Sequence, residues 1–126
     1  MVYLLDTSIL IDVLNRKRGR PELVQQLLLG GGTLASCPIT IAEIHAGMRP
    51  GEEGRTERFL RSLTFFPLTL EISRMAGDLI ASWRWQGRTF ALPDMAIAAV
   101  ALSNELVLVT GNEKDFPMVE LKRLPA

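Results

Sequence analysis

Short apolar runs separated by longer mixed segments predict strands that alternate with helices. Val2 to Leu5 is a continuous apolar run, which indicates a strand buried on both faces. Similar runs predict strands over Thr33 to Cys37, Phe65 to Leu68 and Leu106 to Val109, and Val119 to Lys122 favours an edge strand. The chain therefore has four or five predicted strands.

Helical spacing of apolar residues fills the segments between these strands. It is clearest from Glu71 to about Gln86, where Ile72, Ala76, Leu79 and Trp83 mark one face of an amphipathic helix. Strands that alternate with helices are typical of an α/β fold with a parallel sheet covered on both faces. The other predicted helices follow Asp6, run from Pro21 to Leu29, open at Pro38, run from Gly54 to Leu63 and run from Asp94 to Asn104.

Length and composition favour one domain spanning residues 1–126, with 48% hydrophobic residues available for a core. Fourteen basic residues balance fourteen acidic ones, so any contact with nucleic acid requires a local basic patch. The longest apolar run, Met95 to Leu102, is far below the roughly 20 residues of a membrane helix. With a single cysteine, Cys37, and no signal-peptide core, we expect a cytoplasmic protein without membrane contact.

Four acidic residues stand where predicted strands meet helices or loops: Asp6, Glu43, Asp94 and Asp115. Each alone fits a simpler role, as a helix cap, a solvated flank, a first-turn acid and a turn residue respectively. Their joint placement is more informative. An α/β fold gathers such junctions at the carboxyl ends of its strands, so we expect all four to face one crevice.

Such a cluster needs compensation for its negative charge. Two like charges about 4 Å apart repel by roughly 4 kcal/mol at an effective dielectric near 20. Either some carboxylates become protonated, or a cation binds. Oxygen ligands without clustered histidine or cysteine favour Mg²⁺ or Mn²⁺ over Zn²⁺, and such ions suit phosphodiester hydrolysis. Ser8 and Thr110 are candidates to orient the acids, although plain capping is an alternative for both.

Four segments resemble the PIN-domain proteins, and in particular the VapC-type ribonuclease toxins of prokaryotes. They are Leu4 to Leu10, Ile39 to Ile44, Leu92 to Ala99 and Val109 to Phe116. The segments occur in the family's order and span almost the whole chain. The resemblance implies a three-layer PIN-like fold, with a parallel sheet of four or five strands flanked by helices.

The same resemblance implies cleavage of single-stranded RNA with Mg²⁺ or Mn²⁺ and inhibition by a VapB-like antitoxin. By motif match, Asp6 and Asp94 are the main metal ligands of the catalytic site, and Glu43 and Asp115 complete the set directly or through water. We also expect a homodimer. A PIN nuclease of RNA processing, or a PIN-like module that binds RNA or a partner without cutting, remains an alternative.

A phosphoacceptor receiver domain is a competing function of similar size and architecture. That reading needs adjacent acids after the first strand, whereas Asp6 has no acidic neighbour, and it leaves Asp94 unused. Metal-free acid–base catalysis is disfavoured because His45 is the only histidine.

Several basic and aromatic residues have two interpretations each. The run from Arg16 to Arg20 fits an RNA-backbone contact or a solvated helix end, and Arg84 and Arg88 are candidates to approach phosphates near the cleft. Trp85 lies off the apolar stripe of its helix, which fits either half-exposed packing or a dimer or antitoxin surface. Arg55, Arg58 and Arg61 fit a basic ridge or ion pairs with nearby glutamates.

Overall fold

A five-stranded sheet forms the centre of the protein, whose computed structural model describes residues 1–126. All neighbouring strands are parallel, in the order β3-β2-β1-β4-β5. The strands are β1 (Val2–Leu5), β2 (Thr33–Ser36), β3 (Thr64–Phe65), β4 (Val107–Thr110) and β5 (Lys122–Pro125).

Helices connect the strands and cover both faces of the sheet. They are α1 (Thr7–Asn15), α2 (Arg20–Leu29), α3 (Pro38–Ala46), α4 (Glu53–Arg61), α5 (Leu70–Trp85) and α6 (Leu92–Ser103). A short 3₁₀ helix, Glu113–Asp115, follows β4. The predicted α/β fold with helices on both sides of a parallel sheet is confirmed.

Successive residues of β1, the central strand, point to opposite faces of the sheet. The protein therefore has two apolar cores, one on each face. Leu4 packs with α5, α6 and the neighbouring strands on one face, whereas Leu5 packs with Ile9, Leu10 and Val109 on the other. A strand that is apolar at consecutive positions is therefore buried on both sides, as its sequence predicts.

The two outer strands differ from the sequence prediction. Phe65 to Leu68 was expected to be extended, but β3 ends at Phe65, and the following Pro67 has no backbone N–H to donate to a ladder. At the other edge, β5 begins only at Lys122, which pairs with Val107. The apolar run from Val119 instead supplies Leu121 to the core before the strand begins.

Helix α6 is the most apolar helix of the protein and determines where one of the candidate acids lies. Residues Met95 to Ala101 are all buried, and the helix packs against α5. Pro93 in its first turn restricts the backbone to helical φ and needs no hydrogen-bond acceptor. Asp94 follows directly, at the end of the helix that meets the carboxyl edge of the sheet. None of the helices combines the length and apolar character that crossing a membrane requires.

Candidate functional site

The strand order places a crevice between β1 and β4. The chain leaves β1 towards β2 on one side, whereas β4 lies on the other side, so the direction of winding reverses there. Ligands of open α/β sheets bind at such a reversal, outside the carboxyl ends of the strands. Asp6 follows β1 and Thr110 ends β4, and the backbone N–H of Asp6 donates to the Val109 carbonyl over 3.0 Å.

Asp6 is held by hydrogen bonds to both carboxylate oxygens. Its Oδ1 accepts from the backbone N–H of Thr7 at 2.8 Å, which caps α1, and its Oδ2 accepts from the Thr110 hydroxyl at 2.9 Å. Asp6 is only 6% exposed, so the direction of its side chain is well defined. The expectation that Thr110 orients an acidic side chain is confirmed, and Asp6 also has its capping role.

Thr7 links Asp6 to the second acid, a contact that the sequence pattern did not predict. Its backbone binds Asp6, and its hydroxyl lies 2.7 Å from Oε1 of Glu43 and 3.3 Å from the hydroxyl of Thr40. Ser8, by contrast, is exposed and makes no side-chain hydrogen bond, so the expectation that it orients a carboxylate was wrong. The useful signal for Thr7 was its position next to Asp6.

Asp94 lies partly buried in the first turn of α6. Burial raises its pKa to about 6, and repulsion from Asp6, Asp115 and Glu43 acts in the same direction. The other three predicted acids are therefore near enough to Asp94 to act on its carboxylate electrostatically. No positive side chain offsets that effect on Asp94.

The Asp6 carboxylate experiences opposing influences. Burial is the strongest, and it raises the pKa of Asp6, as do the negative charges of Glu43 and Asp115. The hydrogen bonds from Thr110 and Thr7 stabilise the ionised form and lower the pKa, without cancelling the effect of burial. Asp115, at the end of the 3₁₀ helix, reaches the same region from β4.

The donor set consists only of oxygen atoms. Cys37 is buried in the apolar core and the His45 side chain is exposed, so neither adds a soft or imidazole ligand to the four acids. Carboxylates and hydroxyls of this kind fit Mg²⁺ or Mn²⁺. No three acidic, histidine or cysteine side chains are clustered tightly enough to form a ready set of ligands. The assignment of all four acids as metal ligands remains a prediction.

The basic run after α1 is largely engaged within the protein. Arg18 Nη1 lies 2.8 Å from Oδ1 of Asp12, and Arg20 Nε lies 3.6 Å from Oδ2 of the same carboxylate. Asp12 is buried, although its sequence position predicted no special role. Arg20 also approaches the loop after β4, where its Nη2 lies 2.9 Å from the position a Cβ would take at Gly111.

Helix α4 carries ion pairs of its own. Arg55 lies 3.5 Å from Glu52, and Arg61 lies 2.8 Å from Glu57. Ion pairing, rather than a free basic ridge, therefore describes these two arginines. A pocket between α1, α3 and α4 has Glu43 among its lining residues, together with Ile11, Leu14, Ile44, Met48 and Arg55.

Comparison with known proteins gives consistent matches over nearly the whole chain. The PIN domain profile matches residues 3–121. Ribonuclease VapC19 of Mycobacterium tuberculosis is 30% identical over 115 residues, which cover 91% of this chain and 92% of the relative. Ribonuclease VapC2 of Haemophilus influenzae is 32% identical over 123 residues, covering 93% and 91%.

Solved structures show the same fold. A chain of VapBC2 from Rickettsia felis, bound to a DNA fragment from its promoter, matches with a TM-score of 0.84 at 24% identity, covering 100% of this chain and 99% of that one. VapBC-1 from nontypeable Haemophilus influenzae matches with a TM-score of 0.83 at 26% identity, covering 99% and 98%. The resemblance noted in the sequence is confirmed, as is the three-layer PIN-like architecture.

Proposed function

Because the chain belongs to the PIN-domain family, we propose that it is a divalent-metal-dependent endoribonuclease and the toxin of a VapBC-type toxin–antitoxin pair. Its substrate is single-stranded RNA. Curated relatives that match more than nine-tenths of the chain are named VapC ribonucleases, which supports the RNA substrate. Residues 1–126 form a single domain in this proposal.

One observation carries the catalytic part of the proposal: Asp94, at the carboxyl edge of the sheet, is repelled by acids from three other parts of the chain, Asp6, Asp115 and Glu43. The pKa of Asp94 is raised to about 6 by burial and by the other three acids, with no cation to offset them. A carboxylate with a raised pKa is a candidate for a functional site, and a bound cation would relieve the repulsion among these acids. Hydrolysis of phosphodiesters is a reaction that benefits from such a cation.

Asp6 and Asp94 would hold Mg²⁺ or Mn²⁺, with Glu43 and Asp115 acting directly or through water. When bound, such an ion neutralises charge at the scissile phosphate and makes water more acidic. The chain's own part is to orient the ligands: Thr110 and Thr7 fix the two oxygens of Asp6, and the Thr7 hydroxyl holds Glu43. The expected products carry 3′-hydroxyl and 5′-phosphate ends.

A VapB-like antitoxin is the proposed protein partner. VapBC complexes are among the structural matches, which supports this assignment. The pocket between α1, α3 and α4 offers apolar contacts and includes Glu43, so an antitoxin segment bound there would contact one of the four acids. We also propose a homodimer and a cytoplasmic location; the unpaired thiol of Cys37 is in keeping with a reducing compartment.

Cleavage of cellular RNA by the purified protein tests the function. The protein is incubated with total RNA in Mg²⁺, in Mn²⁺ or in a chelator, beside the Asp94→Asn variant. A matched control is Glu113→Gln, which removes an exposed carboxylate from the same 3₁₀ helix as Asp115. Wild type and Glu113→Gln should cut RNA only with metal, and Asp94→Asn should not cut. An RNA pattern unchanged by metal would identify a binding module and overturn the enzymatic proposal.

A further inference from the structure

The end of α5 and the segment that joins it to α6 carry only positive charge. Between Asp78 and Asp94 there is no acidic residue, whereas Arg84 and Arg88 are both present, in a chain with zero formal net charge. Both arginines are exposed, and neither forms an ion pair. The segment is therefore a cationic surface that leads along the chain to one of the candidate metal ligands.

Aromatic side chains give this surface a fixed shape. Trp83 packs against the apolar core and meets Phe90 edge to face, with ring centroids 5.6 Å apart. The guanidinium of Arg88 lies 4.9 Å from the centroid of each ring. The ring contact joins the end of α5 to the segment before α6, and cation–π attraction holds Arg88 against both rings.

Trp85, two residues after Trp83, has no such role. It is 90% exposed, so the expectation of a half-exposed packing residue was wrong. With Ala81 and Arg84 it lines a shallow concavity at the end of α5. The indole presents a broad apolar face to solvent with a positive side chain beside it.

We infer that Trp85, Arg84 and Arg88 form a platform for single-stranded RNA, on which a base stacks against the indole while the guanidinium groups contact phosphates. The inference rests on the proposed function and adds the residues that receive the substrate. Surfaces that bind single strands combine aromatic faces with positive charge in this way. The acidic crevice repels a polyanion, so attraction must come from positively charged side chains outside the crevice, and Arg84 and Arg88 supply such charge.

The charges favour RNA over a second copy of the chain as the occupant. A symmetric contact between two copies through this surface would bring like patches together, because a two-fold interface uses the same surface twice. The arginines of both copies would then share one interface, and the segment has no acidic residue to offset their charge. A polyanion meets no such repulsion.

Binding to a fluorescein-labelled oligouridylate RNA of about 12 nucleotides, within the usual site size of such surfaces, tests the platform. Anisotropy is measured in chelator, so that binding is observed without metal-dependent cleavage. Trp85→Ala should weaken binding roughly tenfold, whereas Trp85→Phe, which keeps an aromatic face, should stay within about threefold. Leu29→Ala is the matched control, because Leu29 is an apolar residue with 80% exposure on another helix.

Two further readouts separate stacking from general charge. Arg84→Gln and Arg88→Gln should each reduce the steepness of log affinity against log salt concentration by about 1, which corresponds to the loss of one phosphate contact. RNA should also quench tryptophan emission in the wild type and quench it much less in Trp85→Phe. Equal affinity of Trp85→Ala and wild type would overturn the inference, as would no wild-type binding at all.

The outcomes also distinguish this inference from the proposed function. Metal-dependent cleavage with unchanged binding by Trp85→Ala would leave the ribonuclease standing and remove the platform. Loss of binding in Trp85→Ala, with no cleavage by wild type in any metal, would support the RNA platform and overturn the ribonuclease proposal. If Trp85→Ala dissociated a dimer and left RNA affinity unchanged, the surface would be a contact between copies, and the inference would be wrong.

Discussion

The Thr110 hydroxyl donates a 2.9 Å hydrogen bond to Oδ2 of Asp6, across 104 positions of the chain. Both side chains are buried, and the bond connects the last residue of β4 to the residue that follows β1. The same hydroxyl oxygen accepts from the backbone N–H of Asn112 at 3.0 Å. Thr110 therefore couples the direction of the Asp6 carboxylate to the loop that leads to Asp115.

Thr110→Val removes this hydroxyl while keeping the shape of the side chain. We expect a free energy of unfolding lower by about 1–2 kcal/mol, because the buried Asp6 carboxylate and the partly buried backbone N–H of Asn112 each lose a partner. The pKa of Asp6 should rise further, since the lost bond stabilises its ionised form. Urea unfolding and Mn²⁺ affinity are the measurements, with Thr33→Val at an exposed strand position as the control. If Thr110→Val and Thr33→Val had equal free energies of unfolding, the hydrogen bond between Thr110 and Asp6 would have no role in stability.

The raised pKa of Asp94 makes stability depend on pH. Its pKa is raised from 3.8 to about 6, so the folded state holds the proton more tightly than the unfolded state. This group therefore contributes full stability below about pH 4, and the contribution is lost as pH rises through about 6. Asp6 shifts in the same direction.

Asp94→Asn should accordingly stabilise the metal-free protein at about pH 7. A pKa about two units above normal corresponds to roughly 3 kcal/mol. Asp94 is only partly buried, so solvent screening reduces the expected gain to on the order of 1 kcal/mol. Unfolding free energies in chelator, measured across pH for wild type, Asp94→Asn and Glu113→Gln, check this. A gain for Asp94→Asn that is the same below about pH 4 and above about 6 would contradict the ionisation argument.

The parts of the fold that follow from local pattern were predictable. Val2 to Leu5 is apolar at every position because both faces of β1 are covered, and the predicted bounds are those observed. Pro38 similarly identified where α3 begins, whereas α6, predicted from Asp94, begins two residues earlier at Leu92. The edge strands were less predictable, since β5 is defined by its pairing with β4, and the sequence pattern around Leu121 reflects core burial instead.

The candidate site divides in the same way. Asp6 and Asp94 could be selected because each stands at the boundary of a predicted element, Asp115 because it lies in the loop after a predicted strand, and Glu43 because its segment resembles the PIN-domain family. The contacts of Thr7 with Glu43, and of Arg20 with the Gly111 loop, could not, because they join segments whose approach depends on the packing of α1, α2 and α3. Asp12 was missed for another reason: it lies within an amphipathic helix, where an acidic residue usually faces solvent, whereas here it is 7% exposed.

Asp12→Asn tests whether the ion pairs of Asp12 with Arg18 and Arg20 stabilise the fold. Arg20 is 12% exposed at its side chain, and its Nε and Nη1 have no hydrogen-bond partner, so Asp12 supplies the charge that compensates it. Removing one partner of a buried pair should lower the free energy of unfolding by about 3 kcal/mol. Glu57→Gln breaks the exposed pair with Arg61 and should cost less than about 1 kcal/mol. Equal losses in thermal or urea unfolding would contradict the buried pairing.

Mn²⁺ binding tests the central claim most directly, because it asks whether the four acids hold a cation without requiring RNA. The electron paramagnetic resonance signal of free Mn²⁺ is followed as the ion is added to wild type, Asp6→Asn, Asp94→Asn and Glu113→Gln. Wild type and Glu113→Gln should bind Mn²⁺ equally, Mg²⁺ should compete, and both aspartate variants should lose most of the binding. If Asp6→Asn and Asp94→Asn bound Mn²⁺ as tightly as wild type, the acids would not form the metal site.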